Sequence, residues 1–257
     1  GLTQARREAV RCVLSGPAGG VVGARHVAVT AGFDQLLTFD MGGTSTDVSL
    51  CLGDIQITTE AEIGGMPIRI PVIDIHTVGS GGGSIAYVDT GGALRVGPQS
   101  AGADPGPICY ARGGTGPGVT DADLLLGYLD ENYFLGGEMK LDKEAARRGI
   151  EEKIAKPLGV TFVQAIWGIH DLINETMAAA AKTHIAEKGG NPRVATVAAF
   201  GGAGPVHAYG LTKKLGSPRL IVPPNAGVGS ALGFVTAPRA FDLVRSHKVA
   251  LDTADFS

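Results

Sequence analysis

Cysteine is scarce in this sequence. Cys12, Cys51 and Cys109 are the three among 257 residues, and no two stand in a CxxC pair. An odd, unpaired count points to a reduced, cytoplasmic setting, in which any of the thiols could serve as a small core residue. Blocks of basic charge are also lacking. The net charge is −3 and no dense Lys/Arg run occurs, which argues against nucleic acid or an anionic membrane as the main partner. No apolar run is long enough to span a bilayer, and no signal peptide opens the chain. The first residue is Gly1 rather than Met, as expected of a piece of something longer.

What is abundant is glycine, with 40 residues, about twice the usual share. Hydrophobic residues at 44% and charged residues at 18% give a globular composition, and the length allows a sizeable core. The glycines cluster in short loops between apolar runs, a sign of backbone brought close to ligands. Ser15 before Pro17 starts a predicted helix that Gly32 stops. Residues 35–40 and 47–52 read as buried strands, with 54–58 a third in an antiparallel meander. Pro71 makes 67–78 an edge strand or a bend. A hairpin is predicted at 85–89 and 93–96, then a long Gly/Pro-rich loop at 97–118. Helices follow at 121–129, capped by Thr120, and at 142–154. The apolar stripe Phe162, Ile166, Ile169, Ile173, Met177 and Ala180 predicts a long helix over 162–187, ended by Gly189-Gly190. Residues 194–200 and 219–222 read as strands, 205–214 and 228–237 as helices. The pattern predicts an α/β domain with a mixed sheet over 1–238, a Gly/Pro-rich subregion inserted at about 60–120, and a tail or linker at 239–257.

Two loops carry the chemistry. In LLTFDMGGTSTDVSL (36–50), two apolar runs flank a Gly-Gly turn with three hydroxyl residues and a carboxylate at each end. N–H groups from Gly42 to Thr46 would form a concave nest of the kind that binds phosphate. Carboxylates repel phosphate, so Asp40 and Asp47 make sense if a cation intervenes or if they handle a proton. Magnesium, which takes one or two carboxylates with phosphate oxygens, fits. A polar hairpin turn that binds nothing would have the same composition. In VATVAAFGGAGPVHA (194–208), a strand runs through Gly201, Gly202 and Gly204 into a helix opened by Pro205. Such a turn lets backbone lie against a nucleoside, with the helix N-terminus favouring an anion, and it also arises from close packing.

In this order the two motifs resemble the actin, sugar kinase and chaperone ATPase superfamily. More closely, the chain resembles the hydantoinase A and 5-oxoprolinase family. The matching stretches are SGPAGGVVGA (15–24), FDMGGTSTDV (39–48), DIHTVGSGGGSIA (74–86), LRVGPQSAGADPGPICY (94–110), VTDADLLLG (119–127) and AFGGAGPVHA (199–208). The resemblance implies a ribonuclease-H-like lobe with a mixed sheet and flanking helices, the second of two, without the first. It implies ATP with Mg2+ or another divalent metal, and ATP-dependent hydrolysis of a cyclic amide of hydantoin or 5-oxoproline type through phosphorylation of the lactam oxygen. It also implies a missing N-terminal lobe and a hydantoinase B-type partner subunit, without which the lone lobe should be inactive. Carboxylation of a ketone, or a nucleotide-binding lobe with no chemistry of its own, would use the same loops.

On that resemblance Asp40, Gly42, Gly43, Thr44, Ser45 and Thr46 hold phosphate and magnesium, and Gly201, Gly202 and Gly204 hold the adenosine. Asp47 and His76 are the candidates for proton work. Asp40, His76 and Asp123 are the candidate metal ligands. His76 lies two residues from Asp74 on an extended run, and a structural histidine would fit there as well. Asp121 is expected to stabilise a helix N-terminus. His207 is placed to approach the nucleotide or to pack on the preceding strand. His184 is expected to be a satisfied core histidine and Trp167 a packing anchor.

Overall fold

Leu37, Phe39 and Met41 alternate with Leu36, Thr38 and Asp40 along one strand, and the alternation sends the two sets to opposite faces of the central sheet. The structure is a computed structural model that describes residues 6–7, 9–63 and 65–238. The tail expected at 239–257 lies outside the described residues. The strands are β1 (Gln35–Met41), β2 (Thr46–Leu52), β3 (Asp54–Ile55), β4 (Ile57–Thr58), β5 (Ala61–Ile63) and β6 (Met66–Ile68). They continue as β7 (Val72–Ile73), β8 (His76–Val78), β9 (Ser84–Val88), β10 (Leu94–Ser100), β11 (Thr196–Phe200) and β12 (Arg219–Ile221). The main sheet runs β12-β11-β1-β2-β3, and β8 also pairs with β2. The β1–β2, β2–β3 and β2–β8 pairs are antiparallel, whereas β1–β11 and β11–β12 are parallel. This is the mixed, ribonuclease-H-like order that the resemblance implied.

Helices cover both faces. They are α1 (Ser15–Thr30), α2 (Val119–Leu125), α3 (Lys143–Ile150), α4 (Phe162–Glu187), α5 (Gly204–Leu215) and α6 (Gly229–Thr236). On one face Leu37, Phe39, Val48 and Leu50 pack against Ile169, Ile173 and Met177 of α4 and Leu211 of α5. Ile166, Ile169, Ile173 and Met177 of the stripe read from the sequence are buried on α4, and the buried face continues through Ala181 and Ile185, while Phe162 and Ala180 are only partly buried. On the other face Leu36, Cys51 and Phe200 pack under α1, with Val21, Ala24 and Ala28.

α1 crosses α6 on glycines. A Cβ at Gly233 would run into the Gly19 carbonyl, and one at Gly23 would lie 2.7 Å from the Gly229 oxygen. The small residues let the two backbones touch, and that approach brings Ser230 of α6 over the end of β1.

The Gly/Pro-rich subregion differs from the reading in detail. The expected strand over 54–58 is divided between β3, which pairs with β2, and β4, which pairs with β7. The 67–78 run is split into β6, β7 and β8. β10 extends to Ser100 past a register shift after Val96, so the long loop begins later than expected. α2 begins at Val119 rather than Asp121, and Thr120 does not cap it. Gly118 precedes the helix, and the Asp121 carboxylate accepts from the N–H groups of Gly118 (2.8 Å) and Cys109 (2.7 Å). Trp167 is 50% exposed, so it is not buried as an anchor would be. Among the described residues no helix is long and apolar enough to cross a membrane.

Candidate functional site

The two glycine turns that the sequence singles out leave neighbouring parallel strands at the same end. β1 and β11 pair with Asp40 opposite Phe200, β1 runs into residues 42–45, and β11 runs into 201–204. The Ala203 N–H donates to the Met41 carbonyl at 2.9 Å, joining the turns directly. α5 leaves on one face and α1 lies on the other. Open α/β sheets bind ligands in the crevice beyond the carboxyl ends of such strands.

The glycines separate into two kinds. Gly201 has φ +87°, and a Cβ there would strike Asp40 Oδ1 and the Met41 backbone, so packing alone demands glycine. At Gly43 and Gly202 a Cβ would meet no protein atom within 4 Å, and both residues are exposed. Packing explains neither of these, and neither has a positive φ. They leave open space beside the two turns. The Gly42 N–H is already used, closing the turn onto the Ser45 carbonyl at 3.0 Å. Thr46 is fully buried and its hydroxyl donates to the Ser80 carbonyl at 2.6 Å, away from the lip. The nest expected over 42–46 therefore narrows to Gly43, Thr44 and Ser45, whose N–H groups make no hydrogen bond among the described residues. Gly204 is buried at the start of α5.

Asp40 and Asp47 are cross-strand partners on the face that α1 covers. Burial raises the Asp40 pKa, the Ser230 hydroxyl, 3.2 Å from Oδ2, pulls it back, and the Asp47 charge raises it again. Burial likewise raises Asp47, opposed by a 2.6 Å hydrogen bond from the Thr77 hydroxyl. Two half-buried carboxylates held side by side above their ordinary range would gain from a cation.

A second glycine loop backs the turn. The Gly82 N–H donates to the Gly42 carbonyl at 3.0 Å and the Gly83 N–H to the Gly43 carbonyl at 2.6 Å. A Cβ at Gly81 would lie 2.6 Å from the Thr44 nitrogen. This GSGGGS loop (79–84) is thus glycine-rich because backbone lies on backbone.

The other expected residues lie elsewhere. His76 is opposite Val48 on β8, and its ring stacks on His184 of α4 at 5.4 Å. That is the α4 face of the sheet, so the sheet itself separates His76 from Asp40 and Asp47. His184 is buried, but its Nε2 has no hydrogen-bond partner among the described residues, unlike the satisfied core histidine expected. Its pKa is lowered by burial, against the pull of Asp74. Asp123 meets neither Asp40 nor His76. It lies on α2 and receives His170 Nδ1 at 2.7 Å and His207 Nε2 at 3.1 Å. These three residues have ligand atoms within 4.8 Å of one another, close enough to be tested as a metal set. Ser230, Thr77 and His170 carried no signal in the sequence, since each partner lies 30 to 190 residues away.

The hydantoinase/oxoprolinase family profile matches residues 2–242. The alpha subunit of caprolactamase from Pseudomonas jessenii is 39% identical over 248 residues, covering 96% of this chain and 36% of that subunit. The 5-oxoprolinase 1 of Arabidopsis thaliana is 38% identical over 241 residues, covering 87% of this chain and 19% of the plant protein. Among solved structures, nucleotide-free acetone carboxylase superposes with TM-score 0.78 at 35% identity, covering 85% of this chain and 31% of that one. The ATP-dependent caprolactamase of Pseudomonas jessenii gives the same TM-score, 0.78, at 40% identity, covering 84% and 32%. The chain thus spans about a third or less of the length of these proteins. Its sheet order, its paired glycine turns and a profile match over nearly its whole length agree, and the chain belongs to the hydantoinase/oxoprolinase family.

Proposed function

We propose that this chain is the lobe that holds ATP in a larger enzyme that opens a cyclic amide. The observation that carries the reading is the meeting of the Asp40 turn and the 201–204 turn at the ends of two adjacent parallel strands. ATP bound with magnesium would supply a phosphoryl group to the lactam oxygen, turning an amide that resists water into one with a good leaving group. The residues have narrower tasks. Gly43, Thr44 and Ser45 direct N–H groups at phosphate, Asp40 holds the cation, and Gly202 leaves room for the nucleoside. Asp47, beside Asp40 and steadied by Thr77, would take a proton or help to hold the cation. Phosphoryl transfer needs positioning and charge neutralisation above all. An N-terminal lobe would supply the second wall of the cleft and a hydantoinase B-type subunit the rest of the reaction, since a cleft needs two walls. The names of the caprolactamase and 5-oxoprolinase relatives support the cyclic amide.

A second reading has its own support. The gamma subunit of acetophenone carboxylase from Aromatoleum aromaticum is 41% identical over 228 residues, so ketone carboxylation uses a lobe of this kind too. Phosphate release by the full-length protein with its partner subunit, given Mg2+ and ATP, separates the two. Stimulation by one cyclic amide with a ring-opened product supports the amidase. Stimulation only by a ketone with bicarbonate overturns it in favour of the carboxylase. In the same assay Gly81→Ala, which pushes the Thr44 backbone, is expected to raise KM for ATP about tenfold, because small misplacements of a binding turn are costly. An unchanged KM would show that the GSGGGS loop does not shape the turn.

A further inference from the structure

A buried polar cluster lies behind the two turns, and the reading above gives it no task. Asp123 is 3% exposed, His170 4%, Asn174 1% and His207 0%. They come from three helices: α2, α4 and the first turn of α5. Each carboxylate oxygen of Asp123 takes a different imidazole, Oδ1 from His170 Nδ1 and Oδ2 from His207 Nε2. His207 Nδ1 meets Asn174 Oδ1 at 3.0 Å. With the Asn174 oxygen so placed, both ring nitrogens of His207 face acceptors. The two rings stack 4.7 Å apart and 19° from parallel.

That stack decides between two uses of the same atoms. An ion shared by two imidazoles needs their in-plane lone pairs to converge on one point. Nearly parallel stacked rings point their nitrogens side by side, here at two separate oxygens. The arrangement suits a carboxylate shared by two N–H donors. Burial works against the Asp123 charge, but the hydrogen bonds and positive charge of the two histidines outweigh it and hold its pKa below the ordinary range.

The network has an end at each glycine turn. Thr120, one turn before Asp123 on α2, directs both its N–H (2.8 Å) and its hydroxyl (2.7 Å) at the Gly82 carbonyl. The Gly82 N–H in turn holds the Gly42 carbonyl of the phosphate turn. At the other end His207 lies three residues beyond Gly204, on the helix that the 201–204 turn begins. Hydrogen bonds together with the backbones of α2 and α5 therefore link the two turns through Asp123.

We propose that Asp123, with His170, Asn174 and His207, is a positioning clamp that sets the spacing between the phosphate turn and the adenosine turn. This rests on the nucleotide reading above. ATP touches both turns and depends on their spacing, whereas adenosine touches one. Cutting the clamp should cost ATP more than adenosine.

The test is equilibrium binding of ATP and of adenosine to the full-length protein, with melting temperature and bound metal measured on the same samples. Asp123→Asn is expected to raise Kd for ATP about tenfold and Kd for adenosine about threefold or less. Thr120→Val keeps the Asp123–histidine hydrogen bonds and cuts the hydroxyl link to Gly82, so it carries the test if Asp123→Asn fails to fold, with the same bias expected. ATP and adenosine Kd values equal to wild type in both variants, whatever the melting temperature, would mean a purely structural network and overturn the proposal. So would one equivalent of a transition metal in the wild type that Asp123→Asn loses. A wild type that binds no ATP would remove the nucleotide reading itself, and the clamp with it.

Discussion

Asp40→Asn is expected to lower ATP turnover by about a hundredfold or more while leaving the protein at least as stable as wild type at neutral pH, since groups that stabilise developing charge contribute on that scale. Both halves follow from the same geometry. Asp40 is half-buried beside Asp47, and its pKa is raised by burial and by that neighbouring charge, with Ser230 opposing. A carboxyl whose pKa is raised on folding binds its proton more tightly folded than unfolded. Its contribution to stability is full below the ordinary carboxylate value and is lost as pH rises through the raised folded value. At neutral pH the folded protein thus carries an ionised carboxylate it would rather protonate, a cost a bound cation would relieve. Asparagine removes the charge and the metal ligand together. Turnover follows by phosphate release, and stability by thermal unfolding from pH 4 to 8. The variant's advantage should grow with pH. Full turnover, or a loss of stability that ignores pH, would contradict the placement of a cation at Asp40.

Gly233→Ala is expected to destabilise the protein by about 2–3 kcal/mol, the usual scale for forcing an atom into a closed contact. Helix propensity alone predicts the opposite sign, since Ala for Gly inside a helix gains about 1 kcal/mol. The clash wins because the new Cβ would meet the Gly19 carbonyl, and backbone cannot swing aside as a side chain can. Gly16→Ala, in the first turn of α1 with nothing within 4 Å of its Cβ, is the control and should be neutral or slightly stabilising. A further consequence links packing to chemistry. α6 carries Ser230, whose hydroxyl bonds Asp40, so displacing α6 should also lower turnover in the surviving folded protein. Equal melting temperatures for the two alanine variants would mean that the α1–α6 contact is not close enough to matter.

Local pattern made much of the lobe legible. The α4 stripe, with Gly189-Gly190 after it, gave Phe162–Glu187, because a 26-residue helix repeats its apolar period many times. The β1–turn–β2 unit was legible for a related reason: apolar runs flank a turn whose residues cannot extend either strand. What local pattern cannot carry is pairing across the chain. The His170 and His207 contacts to Asp123 span 47 and 84 residues, and Ser230 reaches Asp40 over 190. His76 shows the same limit in another form. Strand alternation was expected to put it on one face with Asp74, but β8 begins only at His76, and its pairing with β2 leaves His76 on the far side of the sheet from Asp47. Glycine composition was ambiguous as well. Gly43 and Gly202 leave open space, while Gly81 and Gly201 are fixed by packing, and only coordinates tell the two kinds apart.

The central claim is that residues 40–46 and 201–204 are the two sides of one nucleotide site. Amide hydrogen exchange on the full-length protein, with and without Mg2+ and ATP, tests it most directly. The account predicts that ATP slows exchange in both segments together, with the N–H groups of Gly43, Thr44 and Ser45 gaining protection because they lack partners among the described residues. Exchange unchanged in both segments, at ATP concentrations that support turnover, would contradict it.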